Sequence, residues 1–309
     1  MHSYHKLAVV LLLLPCMELA WLAYARAHVA TLADWQRVAN VVRRDWQSTD
    51  GVKAFPSWTD PLLREVLGDL IPIGKAARSD NAGLRRMWVL SRGYVRSEVL
   101  PEGSLELDRP LGSLRVRRWK MRTPRKRYDF LDHVGEATVS LYSRQGFIPC
   151  SLLRGARPMG GGLLNGPMAP EDRFRCDARR HWLWVGATVV EDLAFKPRNC
   201  IWQHAAGPEP IRITFRKVPL TETIVLYGGL YHMHERDLKY SPVAMQILFN
   251  EVPVARFDHR DGEGWRQYII ETPWLFGQAV DVTVDVTAPM ERFRGFCWSG
   301  YVRENETVD

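Results

Sequence analysis

The sequence predicts an α+β protein built from an apolar N-terminal helix, a small α/β unit and a C-terminal antiparallel β-sandwich. Three observations lead there. Residues 7–22 are almost continuously apolar, residues 28–135 mix helix-period and strand-length segments, and from residue 136 short runs of period two recur between turn residues. The corresponding divisions are 1–27, 28–135 and 136–305. At 309 residues the chain has room for two globular units behind a short leading segment. Its apolar fraction of 46% and charged fraction of 25% are those of a globular protein and exclude wholesale disorder.

The first segment opens with Lys6 and continues as Leu7-Ala-Val-Val-Leu-Leu-Leu-Leu14, then Met17, Leu19, Trp21 and Leu22, and closes at Arg26 and His28. Its length suits a helix crossing a bilayer, and Lys6 points to a cytoplasmic start. Two readings stand side by side. Ala23-Tyr-Ala25 and Ala25-Arg-Ala27 resemble a signal-peptide cleavage site, whereas Leu32, Trp35, Val38, Val42 and Trp46 continue a helical pattern, as a retained anchor would. Both make the protein exported, facing the periplasm or the extracellular side.

The cysteines agree with export. Apart from Cys16 they are Cys150, Cys176, Cys200 and Cys297, an even set with no close pair of the kind zinc sites use. Two disulfides are expected. Of the three pairings, 150–176 across the glycine-rich loop and 200–297 between distant strands are favoured. A disulfide at Cys200 also removes the nucleophile from a Cys/His reading of Cys200 and His204.

In the first unit, Val52–Trp58 reads as a strand. Thr59-Asp60-Pro61 opens a helix with buried Leu62, Leu63, Val66 and Leu67 that ends at Gly68. A second helix is expected over Lys75–Arg86, followed by a strand at Arg86–Arg92. The strand, aromatic-Pro turn and helix resemble the soluble α/β segment of bacterial membrane glycosyltransferases. The multi-span portion in which such transferases keep their catalytic acid is missing, so the resemblance implies no activity here. Phe55-Pro-Ser-Trp58 has no glycine and supports no nucleotide cofactor.

Arg115, Arg117, Arg118, Lys120, Arg122, Arg125, Lys126 and Arg127 supply eight of the positive charges behind a net charge of +7, leaving −1 for the remainder. The basicity is therefore local, and no nucleic-acid partner follows from it. The segment reads as a strand and turn, or as a patch for lipid headgroups or an anionic polysaccharide.

Strands are expected at 137–142, 182–185, 211–216, 223–227, 243–249, 254–257, 265–270, 280–286 and 295–302. Along 280–286 the valines should point inward and Asp281, Thr283 and Asp285 outward. Gly264-Trp265-Arg-Gln-Tyr-Ile-Ile270, Leu275-Phe-Gly277, the alternating strand and Phe296–Val302 together resemble the galactose-binding-like jelly rolls of carbohydrate-binding modules. That resemblance implies a carbohydrate or polysaccharide ligand stacked on aromatic rings, for which Trp182, Trp184, Trp202, Tyr231 and Trp265 are the candidates.

No catalytic motif is evident. His232 and His234 would share a face if extended, and with Glu235 or Asp237 are metal candidates. Asp258, Asp261 and Glu263 are candidate calcium ligands or a carboxylate pair, although Asp261-Gly-Glu-Gly264 reads more simply as a hairpin turn. Met159-Gly-Gly-Gly-Leu163 lacks the Lys-Ser or Lys-Thr of a phosphate loop. The expected function is that of a non-enzymatic envelope protein that binds carbohydrate, accessory to polysaccharide synthesis or export and without a resident cofactor. The alternative is a scaffold subunit of a membrane protein complex. A hydrolase ranks behind both.

Overall fold

The computed structural model describes residues 14–24, 29–92, 101–161 and 166–304. It divides into two compact units, Met1–Ile71 with Leu84–Arg122, and Pro72–Gly83 with Thr123–Asp309.

In the first unit, helix α1 (Leu32–Asp45) starts at its own capping box. The Thr31 hydroxyl accepts from the Asp34 amide, and the Asp34 carboxylate accepts from the Thr31 amide. This cap makes α1 a helix in its own right, not the continuation of the apolar run that its periodicity suggested. Residues 14–24 are helical with their side chains exposed. Among the described residues no helix is long and apolar enough to cross a membrane. Residues 1–13 and 25–28, which carry most of the anchor and all but Ala23 and Tyr24 of the two cleavage-site readings, lie outside the described residues.

Helix α2 (Asp60–Leu67) has Thr59 at its N-cap, Pro61 in its first turn and Gly68 at its C-cap. Both helices pack on a sheet of β1 (Asp50–Phe55), β2 (Arg86–Arg92), β3 (Gly103–Leu111) and β4 (Leu114–Met121), in the order β1-β2-β4-β3 with only β1–β2 parallel. Trp35, Val38 and Val42 of α1 and Leu63 and Leu67 of α2 bury themselves against Trp88, Leu90, Leu114 and Val116. Strand β3 was not anticipated, because Glu106, Asp108 and Arg109 break up its apolar signal.

The second unit begins with a single turn, α3 (Ile73–Ala76), where a helix over Lys75–Arg86 was expected. Asp80 is the reason. Its carboxylate accepts from the Ala82 amide, which favours a turn over a helix, and from the phenols of Tyr227 and Tyr301. The strands that follow are β5 (Arg125–Asp129), β6 (Thr138–Ser143), β7 (Gly146–Pro149), β8 (Ser151–Leu153), β9 (Arg173–Arg175), β10 (Trp184–Glu191), β11 (Pro197–Gln203), β12 (Ile211–Pro219) and β13 (Thr223–Leu230). After the one-turn helix α4 (His232–Glu235) come β14 (Val243–Phe249), β15 (Val252–His259), β16 (Arg266–Glu271), β17 (Ala279–Thr287) and β18 (Phe296–Glu304).

They form two sheets. One is β16-β13-β18-β11-β10-β9-β8 with β5 added on β18, and the other is β15-β14-β17-β12-β6-β7. Their inner faces meet in one core that includes Val185, Ile201, Ile213, Ile247, Val284 and Trp298, so the unit is a β-sandwich. Gln203, fully buried, ties the layers together. Its amide nitrogen donates to the carbonyls of Ile211 and Val284, and its oxygen accepts from the Trp298 indole.

Two expectations are corrected here. Asp261–Gly264 is not a hairpin turn, because β15 belongs to the six-stranded sheet and β16 to the eight-stranded one, so the chain crosses between layers there. In β17 the valines do point inward, but Thr283 and Asp285 are also buried. The Thr283 hydroxyl pairs with that of Thr214, and the Asp285 carboxylate takes both arms of the Arg212 guanidinium, so cross-strand partners cover that face.

Cys150–Cys176 and Cys200–Cys297 are disulfides, the two pairings favoured from the sequence. They belong to an oxidising compartment, extracellular or periplasmic.

Candidate functional site

Strand alternation builds the site. On β11, Ile201 and Gln203 point into the core, so Cys200, Trp202 and, one step further, His204 point to the outer face of the eight-stranded sheet. Gly186 of β10 stands opposite Trp202, which places Trp184 diagonally beside it on the same face. The two indoles stack with centroids 5.7 Å apart and planes 24° from parallel. They form the floor of a cleft of about 760 Å³, a volume that suits a small-molecule ligand. Trp182, 39% exposed, stands at its rim beside His181.

The loop between β17 and β18 forms one wall with Glu291, Arg292 and Phe293. Arg294, fully buried, fixes that loop. Its guanidinium donates to Asp261 at 2.7 Å, to the Ser241 carbonyl and to the His234 carbonyl. Phe293 takes a positive φ of 55°, an uncommon backbone state for a bulky residue that directs the loop toward the cleft. Gly295 follows, and it lies so close to Trp202 that no Cβ fits.

Two buried imidazoles belong to the polar lining. His204 donates through Nδ1 to the Ala205 carbonyl, which leaves Nε2 as an acceptor. His234 accepts at Nδ1 from the Gly295 amide, so its Nε2 carries the proton. Burial brings the pKa of His204 down to about 4, with Arg294 and Arg180 nearby adding to the effect. Burial, then the neighbouring His204, brings His234 down to about 3. Both are neutral at physiological pH and offer one acceptor and one donor.

Three of the five predicted aromatics, Trp182, Trp184 and Trp202, line this cleft, and the other two do not. Tyr231 is buried behind it, edge-on to His232 and His234. Trp265 is half-buried elsewhere on the sandwich, where its indole donates to Ser79 and Arg198 lies over its ring. Trp184 and Trp202, at 5% and 2% exposure, make a floor, so the accessible stacking surface belongs to Trp182.

The histidines 232 and 234 lie on α4 and not on an extended strand. His234 turns to the cleft, whereas His232 lies 3.6 Å from Glu191. Among the described residues no group of three or more His, Cys, Asp or Glu is arranged to hold a metal ion. Asp258 pairs with Arg256, Asp261 with Arg294 and Glu263 with Arg266, so these carboxylates point to different partners. The basic segment is divided. Arg115, Arg117, Arg118, Lys120 and Arg122 lie in the first unit and Arg125, Lys126 and Arg127 in the second. Much of its charge is compensated: Asp108 pairs with Arg115 and Arg117, Glu106 and Asp45 with Arg118, Asp129 with Lys126, and Glu304 with Arg125. Sequence reasoning missed the Glu291–Phe293 wall and His234's turn into the cleft. The only signal for that wall was a short charged loop between two clear strands.

The second unit is thus an antiparallel β-sandwich carrying an aromatic-floored cleft on one outer face. No protein-family model matches the sequence, and no curated protein matches it. Among solved structures the chain is similar to CBM51-2 in complex with GlcNAc and INT domains from Clostridium perfringens ZmpB. The identity is 10% and the TM-score 0.29, over 54% of this chain and 37% of that one. It is also similar to CBM51 from Clostridium perfringens GH95 in complex with methyl-galactose, at 8% identity and TM-score 0.27 over 38% of this chain and 79% of that one. A family 35 carbohydrate binding module from an environmental isolate gives 12% and 0.24, over 50% and 86%. The chain spans just over a third of the length of the first of these.

Proposed function

We propose that the second unit is a non-catalytic carbohydrate-binding module of an exported protein, acting in the envelope as an accessory to polysaccharide synthesis or export. The observation that carries this reading is Trp182 at the rim of a cleft with a stacked indole floor and a neutral donor and acceptor pair. A sugar ring offers an apolar face for stacking and hydroxyls that both donate and accept, and this lining complements both. One carboxylate, Glu291, lines the cleft among the described residues, and Arg180 holds it at 2.9 Å. Glycoside hydrolysis calls for two free carboxyl groups across the bond, so retention of a glycan fits this lining better than cleavage.

The test is binding of a broad glycan and polysaccharide panel to the protein, with and without calcium. A saturable ligand should bind about tenfold more weakly to Trp182→Ala, which removes an exposed ring and little core packing. If no glycan binds the folded protein, or if Trp182→Ala binds as tightly as the parent, the cleft is not a sugar site.

Membrane attachment belongs to the same proposal. Leu14, Met17, Leu19, Trp21 and Leu22 are all exposed along residues 14–24, directly after the apolar Leu7–Leu14 run, and lipid is the natural cover for such a surface. The full chain should float with liposomes and a chain beginning at Val29 should not. Equal flotation of the two would remove the N-terminal segment as the attachment.

A further inference from the structure

Arg292 stands apart from the charged side chains around the cleft. Glu291 is held by Arg180, which also binds Asp177, and Arg294 is held by Asp261. Among the described residues Arg292 has no carboxylate partner, although it is exposed and lines the cleft. Its guanidinium lies over the Phe293 ring, 5.0 Å from the centroid. Phe293 in turn is set by its left-handed backbone and by the buried Arg294 that follows it. The cation is therefore positioned before any ligand arrives, which lowers the entropy lost on binding. Among the described lining residues Arg292 is the one arginine or lysine, and the two buried imidazoles are neutral.

From this we infer that the cleft selects acidic sugars, with a uronate carboxylate taken by the Arg292 guanidinium while the ring lies against Trp182. The inference rests on the sugar-binding reading of the same cleft. A carboxylate matches the planar fork of a guanidinium through two parallel N–H···O bonds, a geometry a hydroxymethyl group does not offer. The pair would sit at the cleft lip, half-shielded from water, where a charge-assisted bond gives selectivity without the full desolvation cost of a buried ion. Stacking on Trp182 and the neutral imidazole contacts serve any sugar of fitting shape. Arg292 alone distinguishes an acid from its neutral counterpart.

The experiment uses calorimetric titration of the full chain with oligomers of glucuronate, galacturonate and mannuronate. Each is compared with the same oligomer after reduction of its carboxyls to hydroxymethyl groups, at low and at raised salt. At least one oligouronate should bind about tenfold tighter than its reduced form, with the margin shrinking at raised salt. Arg292→Gln, at an exposed position, should keep the fold and bring that ratio to about one, weakening the acid form far more than the reduced one. Trp182→Ala should weaken both forms together. Arg292→Lys should retain part of the preference, since the charge remains but the fork is lost.

Equal binding of acid and reduced forms overturns the inference, as does a preference that survives Arg292→Gln. Tighter binding of sulfate esters than of any uronate overturns the carboxylate assignment. Neutral sugars that bind through Trp182 while no uronate is preferred leave the sugar-binding reading standing and remove only this one. If no sugar binds at all, both fall.

Discussion

Gly295 sits behind the floor of the cleft, and replacing it with alanine probes whether that floor is as tightly built as the geometry implies. A Cβ there would lie 2.1 Å from Cη2 and 2.7 Å from Cζ2 of Trp202, and 2.8 Å from Nδ1 of His234. Trp202 is stacked on Trp184 and His234 is packed by Tyr231 and Phe293, so either ring can move only toward the cleft. The added methyl must either displace the backbone or push the indole into the cleft. Overpacking of this kind costs about 1–3 kcal/mol, and losing the Gly295 to His234 hydrogen bond adds about 1 kcal/mol, so Gly295→Ala should destabilise by about 2–4 kcal/mol. The assay is urea unfolding followed by near-ultraviolet circular dichroism, which reports the tryptophan environment. Gly135→Ala serves as the control, because a Cβ there meets nothing within 4 Å, and it should be neutral or stabilising by up to about 1 kcal/mol. A Gly295→Ala protein with the control's midpoint and an unchanged tryptophan spectrum would falsify the close-packed floor.

Three further outcomes are expected. Replacing Cys200 and Cys297 together with serine opens a closure of 97 residues and should cost about 4–5 kcal/mol by loop entropy, against about 3–4 kcal/mol for the 26-residue closure at Cys150 and Cys176; urea midpoints in which the shorter closure matters more would contradict this order. Arg294→Met leaves the Asp261 carboxylate buried without its partner and should cost about 3–5 kcal/mol, most of it recovered when Asp261→Leu is added; additive losses in that double-mutant cycle would show that the pair is not coupled. The third concerns pH. His204 and His234 have folded-state pKa values of about 4 and about 3, below the unfolded value of about 6.5, so between those limits the unfolded chain binds more protons than the folded one. Stability should therefore rise with pH across that window and fall on acidification, by about 1 kcal/mol per pH unit for each imidazole. Urea midpoints at pH 6.5 and 5 should show it, with the slope shallower in His204→Gln; an unchanged slope in that variant would remove His204 as a source.

What the sequence disclosed follows the range of the forces involved. Period-two alternation reads one strand's own faces, so β12, β13, β14, β16, β17 and β18 were legible. It does not read partners. Thr283 and Asp285 have the pattern of solvent-facing positions, and only the cross-strand Thr214 and Arg212 bury them. The Lys75–Arg86 segment has helix-forming residues, yet Asp80 binds two phenols more than 140 residues away and holds it as a turn. Asp261–Gly264 has hairpin composition but joins two different sheets, which composition does not encode. The aromatic candidates were half legible for the same reason. Trp184 and Trp202 share a face through register, whereas nothing local separates Trp265 from them. Arg292 and Phe293 lay in an irregular loop whose direction depends on the buried Arg294.

The outer face of the eight-stranded sheet is covered unevenly, and that unevenness locates the cleft. Toward β13 and β18, Val225, Tyr227 and Tyr301 point outward and would expose an aromatic surface, but the segment Pro72–Gly83 lies across them. Ala82 packs on them, Asp80 takes both phenols, and Ser79 pairs with Ser299. Toward β10 and β11, Ala169 packs with Trp184 and Trp202, and the cleft stays open among Met159, Gly166, the Trp182 rim and the Glu291–Phe293 loop. One half of the face is thus closed by the Pro72–Gly83 segment and its phenol-binding carboxylate, and the other is left in part as an aromatic-floored cleft. On the proposed reading a sugar acid would cover that remaining half, its apolar ring face against Trp182, its hydroxyls against the imidazole pair and its carboxylate on Arg292.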